Sequence, residues 1–426
     1  MENRGGLGRR DVKCSKTLSL VLVLATMVAV ATTSAFAATK LTLWAWANQE
    51  VVEQFTAIAE WYQAENPGIE IEVAHIAGSQ LQYTERIYLA SAGGAAPDVA
   101  WIEGATVKQL AAQGLLQDVT RALDGIQFTP GETFEMTFAG RMYAAPYHCT
   151  SRGLFKRIDL LEQAGLDPYF GALSLEDLWT WNRRLSEATA DGRYTRVGFV
   201  PWSGNWYARG WIWAFGGELI DESGTHIRPT AALPNNIRAY EWIDEWAQHY
   251  DRNRSPVQLS VSGFVKGTVA MLPGSTSDAA LVVREGTSFT TGRVPHPPQG
   301  SNATWGGGYA VGVPSSSSSR AYTEAAQLVR YFATADVQTR RFREFESLLP
   351  ANWKALRTIA PSLPPPYAGL IAQLPDARPR TPLSGEFHNH LTQALNNVIA
   401  GTTTPRAALE GVQVIMEARF AEVFGQ

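Results

Sequence analysis

KLTLWAWANQEVVEQFTAIAEWYQAENPGIEIEVA, residues 40–74, carries the two hydrophobic periods that predict the fold. Residues 40–46 are apolar on both faces, which is typical of a buried strand. Residues 51–68 place apolar side chains at helical spacing before Pro67 and Gly68 end the helix, and residues 69–74 alternate as a second strand. Because a helix over 79–94 and a strand over 97–102 follow, the order β-α-β-α-β predicts a parallel sheet with right-handed crossovers.

Polar and aromatic side chains follow the first and third of these strands. Trp46, Asn48 and Gln49 come after the first strand, and Glu103 follows Trp101 at the end of the third. Ligand sites of parallel sheets lie at the carboxyl ends of the strands. We therefore expect these residues to face a ligand.

The remainder of the chain favours a second body of mixed helices and strands. Residues 153–165, 175–189 and 321–336 have helical periodicity, whereas residues 196–200 are typical of a strand. The terminal third is mostly helical, with 377–385 as an extended interruption. Some 390 residues exceed what one core usually serves, so two lobes are expected.

The amino terminus has the pattern of a secretory signal. Basic residues precede the apolar run 18–30, and Ala35-Phe36-Ala37 supplies small residues for cleavage near Ala37. Cys14 precedes the apolar run, which does not fit a lipidated anchor, so we expect a soluble periplasmic chain that is not a lipoprotein. Cys149 is then the one cysteine left, and no internal disulfide is expected.

Charge and hydropathy exclude two classes of partner. Without residues 1–37 the chain has 31 basic and 38 acidic residues, a net charge of −7, and no basic block of the kind that nucleic-acid-binding proteins need. No other apolar run approaches the length that crosses a bilayer.

An aromatic cluster, VPWSGNWYARGWIW at 200–213, suggests either a core or a ligand surface. Trp211 and Trp213 are interpreted as core residues beside the element WAFGG. Trp206, in a polar loop, is predicted to contact ligand, and Trp202 fits either role.

Six segments in order resemble the extracellular solute-binding proteins of the maltose-binding-protein type, the receptor subunits of sugar-importing ABC transporters. They are KLTLWAW (40–46), APDVAWIEGATVKQLAAQGLLQDVT (96–120), RMYAAPYHCTSRGLFKRIDLLEQAGLDP (141–168), WAFGGELID (213–221), SGFVKGTVAMLPGS (262–275) and WGGGYAVGVP (305–314). The resemblance implies a type II periplasmic-binding-protein fold, with two α/β lobes, each a mostly parallel sheet flanked by helices, joined at a hinge. It implies an amino-terminal lobe of 38–148 plus 305–350 and a carboxyl-terminal lobe of 151–304 plus 351–426. It also implies a monomeric receptor for a mono- or oligosaccharide, with permease and ATPase subunits in the membrane as partners.

The resemblance also assigns candidate ligand-binding residues. A sugar needs aromatic rings for its C–H face and paired donors and acceptors for its hydroxyls. The candidates are Trp46, Asn48, Gln49, Glu103, Tyr147, His148, Thr150, Trp202, Trp206, Trp305, Gly306 and Gly307, with Asn205 and Arg209 as further polar groups. Trp305 and the three glycines after it also fit a backbone crossing at the hinge. The chain departs from the family at Leu154-Phe155-Lys156, where a Tyr-Asn pair is usual, and at Pro273-Gly274-Ser275, where an aromatic residue often stands.

Two alternatives stay open. A secreted carbohydrate-active enzyme needs two carboxylates flanking the scissile bond, and the sequence pairs no second acid with Glu103. A receptor for glycerol phosphate diesters or another polar solute remains the other alternative. A phosphate favours an arginine fork or a helix amino terminus in the cleft, and Arg209, Arg378 and Arg380 are candidates for the fork. The pair His388 and His390 lacks a third ligand, so neither a metal nor another cofactor nor a catalytic group is predicted.

Overall fold

The computed structural model describes residues 38–424 except 47, 172, 205, 223–226, 251–256, 316–318 and 347. The predicted signal segment 1–37 and the candidate Asn205 lie outside the described residues.

The first sheet has five strands in the order β2-β1-β3-β15-β6. Its strands are β1 (Thr39–Ala45), β2 (Ile69–His75), β3 (Val99–Glu103), β6 (Ala144–Pro146) and β15 (Tyr309–Gly312). β1 runs parallel to β2 and β3, as the sequence predicts. β15 enters from late in the chain and runs antiparallel to both β3 and β6, so the sheet is mixed.

The first two helices begin where the sequence supplies caps. Asn48 caps the helix Gln49–Glu65 by accepting from the amide of Val51, and Ser79 and Gln82 form a capping box at Gln80–Ala92. The apolar stripe of the first helix is buried against the sheet, as Phe55 and Ile58 illustrate. The β-α-β-α-β prediction for this part of the chain is confirmed.

The described α-helices lie between the strands as far as β15 and make up most of the described chain after it. They are α1 (Gln49–Glu65), α2 (Gln80–Ala92), α3 (Gly104–Ala112), α4 (Pro130–Met136), α5 (Ile158–Gln163), α6 (Leu175–Leu185), α7 (Tyr207–Ala214), α8 (Pro234–His249), α9 (Val261–Val265), α10 (Thr276–Arg284), α11 (Ser319–Ala333), α12 (Ala335–Phe345), α13 (Trp353–Ile359), α14 (Pro366–Ile371), α15 (Ser384–Ile399) and α16 (Pro405–Phe424). Each of them is too short or too polar to cross a lipid bilayer.

The second sheet differs from its prediction. Its strands β7 (Arg152–Arg157), β12 (Met271–Ser275) and β13 (Phe289–Gly292) lie in the order β12-β7-β13, and both pairings are antiparallel. The expectation of a mostly parallel sheet here is wrong, and so is the helix predicted from residue 153, because Gly153–Arg157 form the central strand and α5 begins only at Ile158. Burial on both faces gives this strand an apolar run that periodicity alone does not separate from a helix.

The predicted strand 196–200 joins this sheet only in part. Val197 pairs parallel with Val269, and the amide of Ala270 donates to the carbonyl of Val197. The remaining strands are short pairs: β4 (Thr137–Phe138) with β5 (Arg141–Met142), β8 (Glu187–Ala188) with β9 (Tyr194–Arg196), β10 (Ile220–Asp221) with β11 (Arg228–Pro229), and β14 (Thr304–Trp305) with β16 (Ala377–Arg378).

The tryptophan cluster is part of a large apolar core. Trp206, Trp211 and Trp213 are buried around α7 and pack against α8, with Trp211 and Trp242 centroids 4.7 Å apart. The core interpretation of Trp211 and Trp213 is therefore correct.

Several chain segments pass side by side between the two sheets. The chain leaves the first sheet at Pro146 and enters the second at Arg152, and Thr150 donates its hydroxyl to the carbonyl of Gly307 on the returning segment at 2.7 Å. The amide of Gly306 in turn donates to the carbonyl of Arg378. This bundle of crossings forms the floor of the site described next.

Candidate functional site

A cleft of about 1280 Å³ lies over the crossing segments. One wall comes from the ends of β1 and β3 and from α2 and α3, and the other from α7 and the first turn of α15. Its lining comprises Trp46, Asn48, Val51, Gly78, Gln80, Leu81, Thr84, Glu85, Tyr88, Trp101, Glu103, Ala105, Thr106, Gln109, His148, Thr150, Arg152, Arg209, Ser277, Trp305, Gly306, Gly307, Gly308, Tyr309, Leu348, Arg380, Leu383, Ser384, Gly385, Glu386, His388 and Asn389.

Aromatic rings cover the first wall. The indole of Trp46, half-buried at the end of β1, is anchored by donating to the carbonyl of Gly78 at 2.8 Å. It lies 6.1 Å from the ring of Tyr83 and 6.2 Å from that of Tyr309. Trp101 packs edge-on against Tyr309 from below, at 5.0 Å. The wall therefore presents a fixed aromatic surface with Asn48 exposed at its edge.

A buried ion-pair network crosses the floor. Arg380 donates to Glu103 at 2.8 Å and to Glu135 at 3.0 Å. Burial lowers the pKa of Arg380, but Glu135 and Glu103 outweigh burial and raise it above its ordinary value. A cation shared by two carboxylates fixes the position of Glu103 at the floor of the cleft.

Two further guanidinium groups flank Trp305. The Cζ atoms of Arg152 and Arg209 lie 4.0 and 4.8 Å from its ring centroid. Arg152 also donates to the carbonyl of Trp305 at 2.8 Å. Arg209 is 2% exposed, and burial together with the charges of Arg380 and Arg152 lowers its pKa to about 9.

The glycine run is required by close approach. A Cβ on Gly307, whose φ is +113°, would lie 2.3 Å from Glu135 Oε1, and one on Gly308 would lie 2.2 Å from the carbonyl of His148. L-residues with side chains rarely adopt this φ and have no space here. The packing therefore accounts for glycine at these crossing positions, and the hinge role stays a prediction.

Buried titratable groups surround the crossings. Glu132 accepts from the hydroxyl of Thr129 and from the amides of Thr150 and Gly307, and burial, reinforced by Glu135, raises its pKa to about 7. Burial and the charges of Arg341 and Arg380 lower the pKa of His148 to about 3, so this imidazole is neutral. Burial also raises the pKa of the Cys149 thiol, which argues against a reactive thiolate.

Known proteins share both the sequence pattern and the fold. Residues 45–339 match the family described as bacterial extracellular solute-binding protein. The chain belongs to this family. One relative is the lactose-binding protein of Rhizobium radiobacter, 30% identical over 154 residues, a match that covers 35% of each chain and so spans about a third of that relative's length.

Several solved structures have the same fold. The protein CpMnBP1 with mannotriose bound has a TM-score of 0.70 at 20% identity, with 88% of this chain and 99% of that chain covered. A cyclo/maltodextrin-binding protein complexed with maltotetraose has 0.73 at 18% identity, with coverages of 89% and 97%. A solute-binding protein from Thermotoga lettingae TMO bound with α-D-tagatose has 0.69 at 19% identity, with coverages of 91% and 100%. The predicted type II solute-binding fold is confirmed.

Eight of the twelve candidate residues lie along the cleft of this solute-binding protein. They are Trp46, Asn48, Glu103, His148, Thr150, Trp305, Gly306 and Gly307. They share this location because the carboxyl ends of the parallel strands and the crossing segments meet at the same edge of the first sheet.

Four candidates lie elsewhere. Trp206 is fully buried with its ring against Gly210 and Trp211, so its prediction as a ligand contact is wrong for this structure. Trp202 packs edge-on against Tyr250 outside the cleft. Tyr147 is buried and donates its hydroxyl to Gln54, and Gln49 lies on α1, where it donates to Glu53. Asn48 and His148, the sequence neighbours of Gln49 and Tyr147, line the cleft instead.

Sequence reasoning missed several lining residues. Arg380 enters the sequence analysis only as a candidate for an arginine fork, whereas the structure places it, largely buried, between the carboxylates of Glu103 and Glu135. Tyr309, directly after the glycine run, and Ser384, at the start of α15, had no role in the prediction. The extended interruption at 377–385, between helices, was the available signal, because irregular segments carry functional residues more often than regular ones. Within the described residues no group of three His, Cys, Asp or Glu side chains has a metal-binding arrangement.

Proposed function

We propose that this chain is the receptor of an ABC importer and that it captures a sugar in the cleft. The observation that carries the proposal is the fixed indole of Trp46 beside Tyr309, with Asn48 and Glu103 at its edges, in a member of a solute-binding family. The lactose, mannotriose, maltotetraose and tagatose in the names of its relatives support the same class of ligand.

The chemistry of this wall suits a pyranose. The C–H face of the ring lies against Trp46, while amide and carboxylate oxygens accept from the hydroxyl edge. Each neutral hydrogen bond contributes roughly 0.5–1.5 kcal/mol net. One stacked face and several such bonds are enough for a dissociation constant in the micromolar range, about −8 kcal/mol.

The crossing segments support closure around the ligand. We propose that residues 38–148 plus 305–350 form one lobe and residues 151–304 plus 351–426 the other, and that the lobes rotate about the crossings. The present cleft, at about 1280 Å³, is larger than the roughly 300–1,000 Å³ that is typical of ligand pockets. Closure would bring Ser384 and Asn389 towards the sugar on Trp46.

We propose that the sugar is released unchanged to membrane permease subunits after export directed by residues 1–37. A glycosidase needs two carboxylates free to exchange protons with the scissile bond. In this cleft Arg380 ties Glu103 and Glu135 into one ion-pair network, which suits binding and not proton transfer.

The test is a sugar screen on intrinsic tryptophan fluorescence, followed by calorimetry with the Trp46→Ala variant. We expect saturable binding to at least one mono- or oligosaccharide and at least a tenfold loss of affinity in the variant. Trp353→Ala is the matched control, since Trp353 is also partly exposed but lies outside the cleft lining. Unchanged affinity in Trp46→Ala, or a sugar product appearing in the mixture, would contradict the proposal.

A further inference from the structure

The charge on Arg209 lacks a counter-ion in the described part of the chain. Its Nη1 donates to the Ser384 hydroxyl at 3.0 Å and its Nη2 to the Ser384 carbonyl at 3.2 Å, both uncharged partners. Among the described residues no carboxylate lies within ion-pair distance of it, and its buried Nε has no acceptor. Burying an unpaired charge is costly, and stacking on Trp305 offsets only part of that cost.

The helix that Arg209 contacts presents free amides to the same cleft. α15 begins at Ser384 after Leu383, which has a left-handed φ of 55° and provides no side-chain cap. The amides of Ser384, Gly385 and Glu386 have no acceptor among the described residues, and all three residues line the cleft. A sixteen-residue helix carries partial positive charge at this end.

The acidic side chains of the cleft lining do not pair with Arg209 or with the first turn of α15, so this part of the cleft remains positive. Glu103 is paired with Arg380, and Glu386 is turned to Arg419, which donates to it at 2.7 Å. Glu85 is exposed on α2, on the first-sheet side of the cleft. Burial and the charge of Arg209 lower the pKa of His388 to about 4, so this imidazole is neutral.

We infer that the corner formed by Arg209 and the first turn of α15 binds an anionic group on the ligand, so that the transported sugar is acidic. The group is a carboxylate of a uronic acid or a phosphate ester, since both present oxygens that match a guanidinium and helix amides. The inference rests on the proposed function, because the sugar ring itself lies against Trp46. It narrows the substrate class from sugars in general to anionic sugars.

The first experiment compares matched ligands on the purified protein by calorimetry. Digalacturonate is compared with galactobiose, and glucose 1-phosphate with glucose, in 50 and 500 mM NaCl. We expect at least one acidic ligand to bind ten times more tightly than its neutral counterpart. The ratio of the two dissociation constants should be smaller in 500 mM NaCl, because salt screens the charge. Tighter binding of digalacturonate than of galactobiose would identify the anionic group as a carboxylate. Tighter binding of glucose 1-phosphate than of glucose would identify it as a phosphate.

The second experiment uses two variants with different risks. Arg209→Met removes the cation but leaves a buried site to repack. Gly385→Asp keeps the fold, because a Cβ at Gly385 meets no atom within 4 Å and an acidic residue in a first helical turn is favourable, yet it places a carboxylate in the corner. Both should weaken acidic-ligand binding at least tenfold, and by a larger factor than they weaken binding of the matched neutral ligand. Arg378→Met is the control, since Arg378 pairs with Glu218 outside the lining.

The outcomes separate the two proposals. Neutral sugars that bind as tightly as acidic ones, or a Gly385→Asp variant that retains full acidic-ligand affinity, would overturn the anionic corner and leave the sugar receptor standing. Absence of binding to every sugar, acidic or neutral, would overturn the proposed function itself.

Discussion

At the scale of single residues, the fold controls the protonation of Glu132. Its carboxyl group is fully buried between Thr129 and the amides of Thr150 and Gly307, at the point where chain segments cross. Burial is the largest cause of the raised pKa of Glu132, and the charge of the neighbouring Glu135 raises it further, from 4.5 to about 7 in total.

This raised pKa predicts a stability that falls with rising pH. Between about 4.5 and 7 the folded protein holds a proton that the unfolded chain has lost, so the free energy of unfolding declines through this window and is flat above it. We expect Glu132→Gln to remove roughly 2–3 kcal/mol of the difference in stability between pH 5 and pH 8. Urea denaturation at both values measures it.

The control for this prediction is Glu60→Gln, an exposed carboxylate on α1. It should keep the pH dependence of the wild type. A Glu132→Gln protein with an undiminished loss of stability from pH 5 to pH 8 would show that this carboxyl is ionised in the folded state.

At the scale of elements, the glycine run between β14 and β15 decides how closely the crossings pack. Gly307 donates its amide to Glu132 and accepts at its carbonyl from Thr150, so it joins two segments far apart in sequence. Its φ of +113° and the 2.3 Å approach of Glu135 leave no space for a methyl group.

We therefore expect Gly307→Ala to destabilise the protein by more than about 1 kcal/mol and to weaken ligand binding, since the crossings must shift to accept the methyl group. Gly411→Ala is the matched control, because Gly411 lies inside α16 with no atom within 4 Å of a Cβ. That change should stabilise the helix by roughly 0.5–1 kcal/mol. Thermal unfolding measures the difference in stability between the Gly307→Ala and Gly411→Ala variants. Equal melting temperatures would contradict the close packing of the crossing segments around Gly307.

At the scale of the whole molecule, an ion pair outside the cleft lining connects residues of the two proposed lobes. Lys108 on α3 donates to both oxygens of Glu222, just after β10, at 2.7 and 2.8 Å. The neighbours Thr106 and Gln109 line the cleft, whereas the Lys108 ammonium lies 3.5 Å from the ring centroid of Phe134. We expect the proposed rotation that closes the cleft to separate Lys108 from Glu222.

Removing this pair should favour closure. We expect Lys108→Met, which keeps the apolar stem against Phe134, to lower the apparent dissociation constant about threefold or more, because the ligand-free arrangement loses a contact that the closed one lacks. Calorimetry measures the affinity, and small-angle scattering should give a smaller radius of gyration for the unliganded variant. Lys40→Met, which breaks the exposed pair with Glu72, is the control and should change neither. Weaker binding by Lys108→Met would place the pair in the closed state instead.

Much of this molecule follows from local sequence. Local signals determine the first two strands of the first sheet and the helices beside them. These signals are the hydrophobic period and the helix caps Asn48 and Ser79, and each acts within a few residues. The same signals place Trp46, Asn48 and Glu103 at one edge, since the carboxyl ends of parallel strands lie together.

Only the tertiary structure decided which rings and charges face the cleft. The sequence predicts ligand contact for both Trp206 and Trp46, yet the structure encloses Trp206 between Gly210 and Trp211 and places Trp46 at a strand end beside the cleft. Arg209, Arg380 and Ser384 are separated by up to 175 residues in sequence, and packing of α7 against α15 brings them to one corner. Burial and charge pairing depend on such long-range contacts, and for that reason no local pattern specifies them.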